Sequence, residues 1–292
     1  MRTMTRRGFM KSSAAATLAA RASLASAIGG GKGELLLVGT QAAGTSKGIY
    51  AYRFDEATGD LTQTALAAAI ETPSVMALAP GGERLFAVSE VDHFARQNGG
   101  GVTGFNLNRQ NGHLTKINGV STKETGPCHV AVDHTGQCVF VANYSGGSAA
   151  SFHVDKDGRL SEAVSFFQYT GHGPNKDRQE KAHAHRVTLS PDNRFLLVND
   201  LGLDEIHIYR LDAKTAKLTP NQPAAWKSAP GAGPRALRFH PNNKWVYCVT
   251  ELTSTVVVLH WNAEQGVLEP VQTVKLLPQG YKGDTRACDI VF

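Results

Sequence analysis

Residues 172 to 185, HGPNKDRQEKAHAH, place three histidines, an arginine and a glutamate in one connection between two apolar, alternating segments. Histidine takes up and returns protons near neutral pH, because the unperturbed pKa of its imidazole is about 6.5. His183 and His185 are two positions apart, so a strand would carry both on one face. The HAH pair therefore predicts acid–base catalysis. An incidental structural pair and half of a metal site are the alternatives, and no spacing supplies a third metal ligand.

Four further residues complete the candidate site. Arg235, in GPR, has a guanidinium that suits a phosphate or carboxylate, and a surface ion pair is its structural alternative. Glu251 is a candidate to orient an imidazole or to act as a base. His129 and Asp200 are candidate substrate-binding residues, with turn capping as the structural alternative for His129. We predict that the site uses no metal and no cofactor.

The elements that would position these residues are repeated along the chain. Four similar lines occur at steps of 50 to 57 residues: PSVMALAPGGERLFAVSE from Pro73, PCHVAVDHTGQCVFVANY from Pro127, AHRVTLSPDNRFLLVND from Ala184 and PRALRFHPNNKWVYCVTE from Pro234. Alternating apolar residues on both sides of a Gly, Asp-Asn or Asn-Asn turn predict a β-hairpin. A further apolar segment and a segment of the x-G-x-L type complete four strands in each repeat.

Repeats of four antiparallel strands predict an all-β fold, a β-propeller of four-stranded blades, about five blades' worth in this chain. LLLVGT, GIYAYRF and LTQTALAA read as strands two to four of an opening blade, and ACDIVF at the end reads as a first strand. Two architectures remain open. One is a closed five-bladed ring whose first and last strands share a blade, and the other is part of a larger ring.

The repeats also predict which polar residues meet. The first strand of each blade is innermost, and alignment of the four lines gives Ser74, Cys128, His185 and Arg235 one equivalent position. The second strands end in Glu90, Asn143, Asp200 and Glu251, each two residues after a valine. We therefore expect a ring of unlike polar groups at one end of the propeller axis.

The basic charge is confined to the N-terminus. Of the 30 basic residues, five precede residue 27 (Arg2, Arg6, Arg7, Lys11 and Arg21), which leaves 25 against 25 acidic residues. A neutral domain has no electrostatic surface for nucleic acid. Residues 1–27 run from TRRGFMK through SSAAATLAA to an A-x-A site, as in twin-arginine export signals. We predict cleavage near Ile28, a periplasmic protein and, because no apolar stretch reaches about 20 residues, no membrane association afterwards.

Four scattered cysteines, Cys128, Cys138, Cys248 and Cys288, do not make a disulfide scaffold or a C-x-x-C metal site. We expect buried thiols on strands, with one disulfide in an oxidising compartment as the alternative.

Several long segments make the chain recognisable: GPCHVAVDHTGQCVFVANYSGGS, GHGPNKDRQEKAHAH, LVNDLGLDEIHIYRL, GAGPRALRFHPNNKWVYCVTEL and GIYAYRFDEATGDL. They resemble the seven-bladed propeller lactonase family, which includes propeller-type 6-phosphogluconolactonases and is similar to fungal carboxymuconate lactonising enzymes. The resemblance extends from about residue 34 to the end, so residues 28–292 are expected to form an incomplete domain of this family. It implies hydrolysis of a small sugar lactone by His183 or His185, Arg235 and Glu251.

On this interpretation a histidine oriented by Glu251 activates water, while Arg235 holds a substrate anion or offsets charge on the carbonyl oxygen. Two departures from the family pattern oppose it. Ala236 stands where the family usually has histidine, and an SNRG-like segment that contributes an arginine is absent. Seven blades need about 350 residues and about 265 follow the signal, so we expect a truncated family member. The alternative function is a non-catalytic exported propeller that binds a ligand or a protein partner. The sequence makes no prediction of oligomeric state.

Overall fold

The computed structural model of the protein describes residues 33–41, 45–284 and 286–291. The predicted export signal, residues 1–27, lies outside these ranges. Strands and turns account for the regular structure of the described residues, and none of these residues belongs to a helix with the length and hydropathy of a membrane span.

The first two sheets lie in the N-terminal part of the chain. The first sheet contains β1 (Glu34–Val38), β2 (Gly48–Phe54) and β3 (Leu61–Ala69). The second begins with β4 (Met76–Leu78) and β5 (Arg84–Ser89), is interrupted by a small hairpin of β6 (His93–Phe94) and β7 (Gln97–Asn98), and ends with β8 (Gly101–Leu107) and β9 (Leu114–Ser121).

The other three sheets each have four strands in chain order. The third sheet contains β10 (Pro127–Val132), β11 (Cys138–Asn143), β12 (Ser148–Val154) and β13 (Leu160–Gln168). The fourth contains β14 (Ala184–Leu189), β15 (Phe195–Asp200), β16 (Glu205–Asp212) and β17 (Lys217–Lys227). The fifth contains β18 (Pro234–Phe239), β19 (Trp245–Thr250), β20 (Thr255–Asn262) and β21 (Val267–Lys275). The predicted all-β fold of four-stranded antiparallel blades is confirmed, and the opening blade has the three strands expected.

The prediction that ACDIVF forms a strand is wrong for the residues that the structure describes. Residues 286–291 belong to no sheet, and among the described residues the first sheet contains β1 to β3, so this segment does not share a blade with them. The carbonyl oxygens of Cys288 and Ile290 instead accept hydrogen bonds from the side chains of Arg235 and Arg238. Guanidinium groups thus satisfy backbone groups that a neighbouring strand would otherwise pair.

The apolar core is divided among the contacts between blades. Each of its four clusters joins two consecutive sheets, with representative pairs Ile49 and Phe105, Phe86 and Phe152, Phe140 and Leu196, and Leu197 and Leu237. Middle strands are covered on both faces, and every residue of β11 and β15 is buried. A blade therefore completes its core only by stacking on its neighbours, which fixes the relative positions of their inner strands.

The inner strands of the last three blades share a β-bulge. Pro127 pairs with Asn143 and His129 with Ala142, so that Cys128 has no partner on the neighbouring strand. His185 and Arg235 are unpaired in the same way on β14 and β18. A bulge interrupts the alternation of a strand and redirects the side chains beside it. The equivalence of Cys128, His185 and Arg235 expected from the sequence is therefore present in the fold.

The four cysteines are free thiols. Cys138 and Cys248 are buried on β11 and β19, as expected from the sequence. Cys128 is half-buried, and Cys288 is exposed on the segment that forms no strand, which corrects the expectation of four buried thiols.

Leu197 tests the importance of blade stacking, because it is fully buried between the fourth and fifth sheets. We expect Leu197→Ala to lower the free energy of unfolding by about 2–5 kcal/mol, since it removes buried methyl groups and leaves a cavity. Leu61→Ala, at a side chain that is 54% exposed, is the matched control and should cost less than about 1 kcal/mol. Urea denaturation measures both. Equal losses would contradict the assignment of stability to this contact.

Candidate active site

A cavity of about 600 Å³ lies where the bulged ends of the inner strands meet. His129, His185, Arg235 and Glu251 line it, which brings together four of the six residues expected from the sequence. Its other polar lining comes from Gln41, Ser74, Glu90, Cys128, Tyr144, Arg178, Arg186, Arg286, Cys288 and Asp289. A cavity of this volume, with a few convergent polar groups, is typical of small-molecule sites.

Glu251 is the acidic centre of this cavity. One of its carboxylate oxygens lies 2.7 Å from Nη2 of Arg178, and the other lies 2.7 Å from Nε of Arg235. The Glu251 side chain is only 6% exposed, so pairing offsets the cost of burying its charge. Two guanidinium groups share one carboxylate, and this cluster keeps one net positive charge. The expected contact of Glu251 with an imidazole is replaced by these two ion pairs.

Arg178 explains the chemistry of the connection between β13 and β14. Gln179, fully buried beside it, donates through its side chain to the carbonyl oxygen of Leu201 at 2.9 Å and thereby fixes the loop. Arg178 also donates to the hydroxyl of Tyr144 at 3.3 Å. Gly202 permits the close approach, because a Cβ there would lie 1.9 Å from the carbonyl oxygen of Lys181. These contacts hold the connection between β13 and β14 in a defined conformation that places Arg178 in the cavity.

His185 presents its ring to the cavity from the bulge of β14. The ring packs edge-on against Tyr144 with centroids 5.3 Å apart, and its Nδ1 lies 4.0 Å from Sγ of Cys128. Burial and the positive charge of Arg235 lower the pKa of His185 to about 4. The imidazole is consequently neutral near pH 7 and has a lone pair available to accept a proton.

His183 occupies a different environment, although it is only two residues away. Its Nε2 lies 2.9 Å from the carboxylate of Glu180 and its Nδ1 lies 3.1 Å from the carbonyl oxygen of Tyr144. The ring stacks on Tyr144 at a centroid distance of 4.4 Å and is not part of the cavity lining. Both ring nitrogens have protein partners, so His183 holds Tyr144 and the loop in place.

Asp200 lies inside a turn, which corrects its expected place in the substrate site. Its Oδ1 accepts from the backbone N–H groups of His183 and Gly202 at 2.9 Å and of Leu203 at 3.0 Å. Its side chain is fully buried, and the residue does not line the cavity. Asp200 therefore fixes the backbone that leads to His185.

Asp200 was assigned to the substrate site because the alignment of the second strands of the repeats was shifted by one residue. Glu90, Tyr144, Leu201 and Glu251 are the equivalent positions, because their backbone N–H groups donate to the carbonyl oxygens of Thr72, Gly126, His183 and Gly233, respectively. Asn143 and Asp200 precede this position and point into the fold, as a one-residue difference of register requires. Tyr144 was missed for the same reason.

Burial is also the main cause of the pKa shifts of two residues on β10, Cys128 and His129. Burial raises the pKa of the Cys128 thiol, to which the charge of Glu90 adds, so this cysteine is not a thiolate nucleophile. Burial, together with the positive charges of Arg186 and Arg238, lowers the pKa of His129 well below its usual value. His129 is thus neutral, and its buried Nδ1 has no hydrogen-bond partner among the described residues.

Three arginines that line the cavity, Arg178, Arg186 and Arg286, were not predicted to belong to the site. Arg178 lies in the histidine-rich connection, so its residue type suggested a functional role. Its distance along the chain from His185 did not indicate that it would reach the cavity. Arg186 follows His185 directly, and strict alternation would turn it to the opposite face. Because the bulge interrupts that alternation, both residues line the cavity. Within the described part of the chain, no group of three or more histidine, cysteine or acidic residues is arranged to hold a metal ion.

Known proteins that are similar to this chain in sequence and fold show its family. Residues 35–292 match the family model described as "Lactonase, 7-bladed beta-propeller". The chain is 34% identical to the 6-phosphogluconolactonase of Bacillus subtilis over 253 residues, which cover 87% of this chain and 70% of that protein.

Solved structures give the same result. A putative 6-phosphogluconolactonase from Bacteroides fragilis is 34% identical with a TM-score of 0.78, over 84% of this chain and 68% of that one. A periplasmic gluconolactonase from Pseudomonas aeruginosa is 33% identical, also with a TM-score of 0.78, over 86% and 70% of the two chains. The chain therefore belongs to the seven-bladed β-propeller lactonase family.

The low pKa of His185 has a consequence for stability. The folded protein holds the imidazole neutral until about pH 4, whereas the unfolded chain protonates it near pH 6.5. The unfolded state therefore binds more protons between these values, and the free energy of unfolding falls as the pH is lowered through this range. The full shift corresponds to about 3 kcal/mol.

Urea denaturation of the wild type and of His185→Asn at pH 7, 5.5 and 4 measures this contribution. The difference in the free energy of unfolding between the two proteins isolates the contribution of His185 from that of other titrating groups. As the pH falls, the wild type should lose more free energy of unfolding than the variant. A difference that does not change with pH would contradict the assignment.

Proposed function

We propose that the protein hydrolyses a sugar lactone to the corresponding acid. The observation that carries the proposal is that the neutral imidazole of His185 and the Arg178–Glu251–Arg235 cluster line the same cavity. A proton acceptor and fixed positive charge are the two components that lactone opening requires. Membership of the lactonase family supports the same reaction, and the relatives are named for lactones of phosphorylated and unphosphorylated gluconate.

In the proposed mechanism His185 removes a proton from a water molecule as its oxygen attacks the lactone carbonyl carbon. The carbonyl π electrons move to the carbonyl oxygen, and Arg235 stabilises the resulting negative charge. When the tetrahedral intermediate collapses, the bond from this carbon to the ring oxygen breaks. The ring oxygen receives the proton from His185, and the product is a hydroxy acid.

The contribution of Glu251 is electrostatic positioning. Its two ion pairs hold the guanidinium groups of Arg178 and Arg235 at a fixed separation, so that they need no rearrangement when charge develops. His183 acts through its stacking on Tyr144, which in turn contacts His185. His129 remains a proposed substrate-binding residue, because it lines the cavity beside His185 and Arg186.

Activity measurements on His185→Asn and Arg235→Met test the proposal. Loss of the proton acceptor should lower kcat/KM for gluconolactone or its 6-phosphate at least about a hundredfold. Loss of the guanidinium should lower it about a hundredfold. His113→Asn, at an exposed histidine, is the matched control and should retain the wild-type rate. Rates must be corrected for spontaneous hydrolysis. Two variants with wild-type rates would exclude this site.

Export to the periplasm is part of the proposal. The paired Arg6 and Arg7, the short apolar segment and the A-x-A site support it, and one structural relative is a periplasmic gluconolactonase. An exported lactonase would act on lactones outside the cytoplasm.

Replacement of both Arg6 and Arg7 by lysine should abolish export and leave the uncleaved precursor in the cytoplasm. Arg21→Lys is the control and should export normally. Cell fractionation with immunoblotting measures the distribution. Undiminished mature protein in the periplasm of the double variant would refute the twin-arginine assignment.

A further inference from the structure

Arg186 follows the bulged His185 on β14 and takes no part in the proposed mechanism. The side chain of Arg186 lines the cavity and is only 9% exposed. Its Nη1 lies 2.6 Å from Oδ1 of Asp289, a residue of the C-terminal segment that forms no strand. Nη2 of Arg238 lies 4.0 Å from the other carboxylate oxygen of Asp289. A carboxylate is thus held between arginines from the inner strands of two different blades.

Positive charges outnumber negative charges around the carboxylate of Asp289. Arg238 and Arg235 are positive groups close enough to Arg186 to lower the pKa of its guanidinium, after burial as the main cause, while Asp289 opposes that shift. Glu251 is already shared by Arg178 and Arg235. Asp289 is therefore the anion that balances Arg186, because a buried charge without a partner is costly.

Asp289 is not itself fixed by the core. Its side chain is 48% exposed, whereas that of Arg186 is almost fully buried. Besides Arg186, its Oδ1 accepts the backbone N–H of Ile290 at 2.8 Å, which is a contact within its own segment. The arginines belong to the rigid strands and the carboxylate to an irregular segment. The carboxylate is consequently the member of the pair that can be displaced at the smaller cost.

We propose that Arg186, which lines the cavity, and Arg238, which adjoins it through Asp289, form an anion subsite at the edge of the cavity. The carboxylate of Asp289 occupies this subsite until a phosphate or carboxylate group of the ligand replaces it. The subsite adjoins His185, since Arg186 is the next residue, so a ligand anchored there extends toward the proposed proton acceptor. This inference deepens the proposed function, on which it rests for the identity of the ligand as an anionic sugar lactone or its acid. The binding of an anion to the subsite does not depend on catalysis.

Binding of inorganic phosphate to the full chain, measured by isothermal titration calorimetry, tests the subsite directly. Asp289→Asn removes the competing charge and should bind phosphate about tenfold more tightly than the wild type. Asp157→Asn, at an exposed acid in the turn that precedes β13, is the matched control and should bind like the wild type. Equal affinity of all three proteins would overturn the proposal.

The arginines are tested in the Asp289→Asn protein. Adding Arg238→Gln should reverse the gain in phosphate affinity, and the 41% exposure of this side chain makes the substitution compatible with folding. Adding Arg186→Gln should have a larger effect wherever the protein folds. Arg159→Gln, at an exposed arginine outside the cavity, should leave the gain unchanged. A gain that survives Arg238→Gln would place the anion elsewhere and refute the subsite.

Kinetic measurements separate this inference from the proposed function. Asp289→Asn should lower the ratio of KM for a phosphorylated lactone to KM for the unphosphorylated lactone about tenfold, because only the phosphorylated substrate carries an anion for the subsite. If the wild type hydrolyses neither lactone but Asp289→Asn still binds phosphate more tightly than the wild type, the proposed function is contradicted and the subsite is upheld. Hydrolysis with an unaltered ratio of the two KM values would uphold the function and contradict the subsite.

Discussion

The inner strands β10, β14 and β18 each accommodate one more residue than the strand beside them, and the composition of the cavity follows from this extra residue. In a regular strand, neighbouring side chains point to opposite faces. The bulge suspends that rule at Cys128, His185 and Arg235, so that pairs of consecutive residues such as His185 and Arg186 reach the same cavity. Blade stacking then sets the distances between the bulges, because each blade buries its core only against its neighbours.

Positive charge in a poorly solvated space gives the cavity its chemical character. Arg178 and Arg235 share the carboxylate of Glu251, and Arg186 depends on a carboxylate from an irregular segment. The same charges, with burial, keep His185 and His129 neutral, since a protonated imidazole would be both desolvated and repelled. One arrangement of guanidinium groups thus provides attraction for an anion and a histidine that is ready to accept a proton.

The repeats were sufficient to predict the blades because alternation and turn residues are local properties. The repeats did not predict which residues at the ends of the second strands are equivalent, because the alignment counted two residues from a valine in each repeat. Val141 and Val198 pair with Val130 and Val187, but Val249 pairs with Ala236, and Cys248 is the true equivalent. Counting from valine therefore gave the right side chain at Glu251 and the wrong one at Asp200. Strand pairing is a property of two segments, so one segment alone cannot fix its register.

The sequence by itself determined the all-β class, the strand order within each blade, the equivalence of Cys128, His185 and Arg235, and a histidine-rich connection beside an inner strand. These follow from periodicity and turn chemistry, which act over a few residues. Only the tertiary structure decided that Arg178 reaches Glu251 across 73 positions of sequence, that Arg186 meets Asp289 across 103, and that His183 serves a turn while His185 faces the cavity. Such contacts depend on how blades stack and where bulges fall, and no local pattern in the chain records either one.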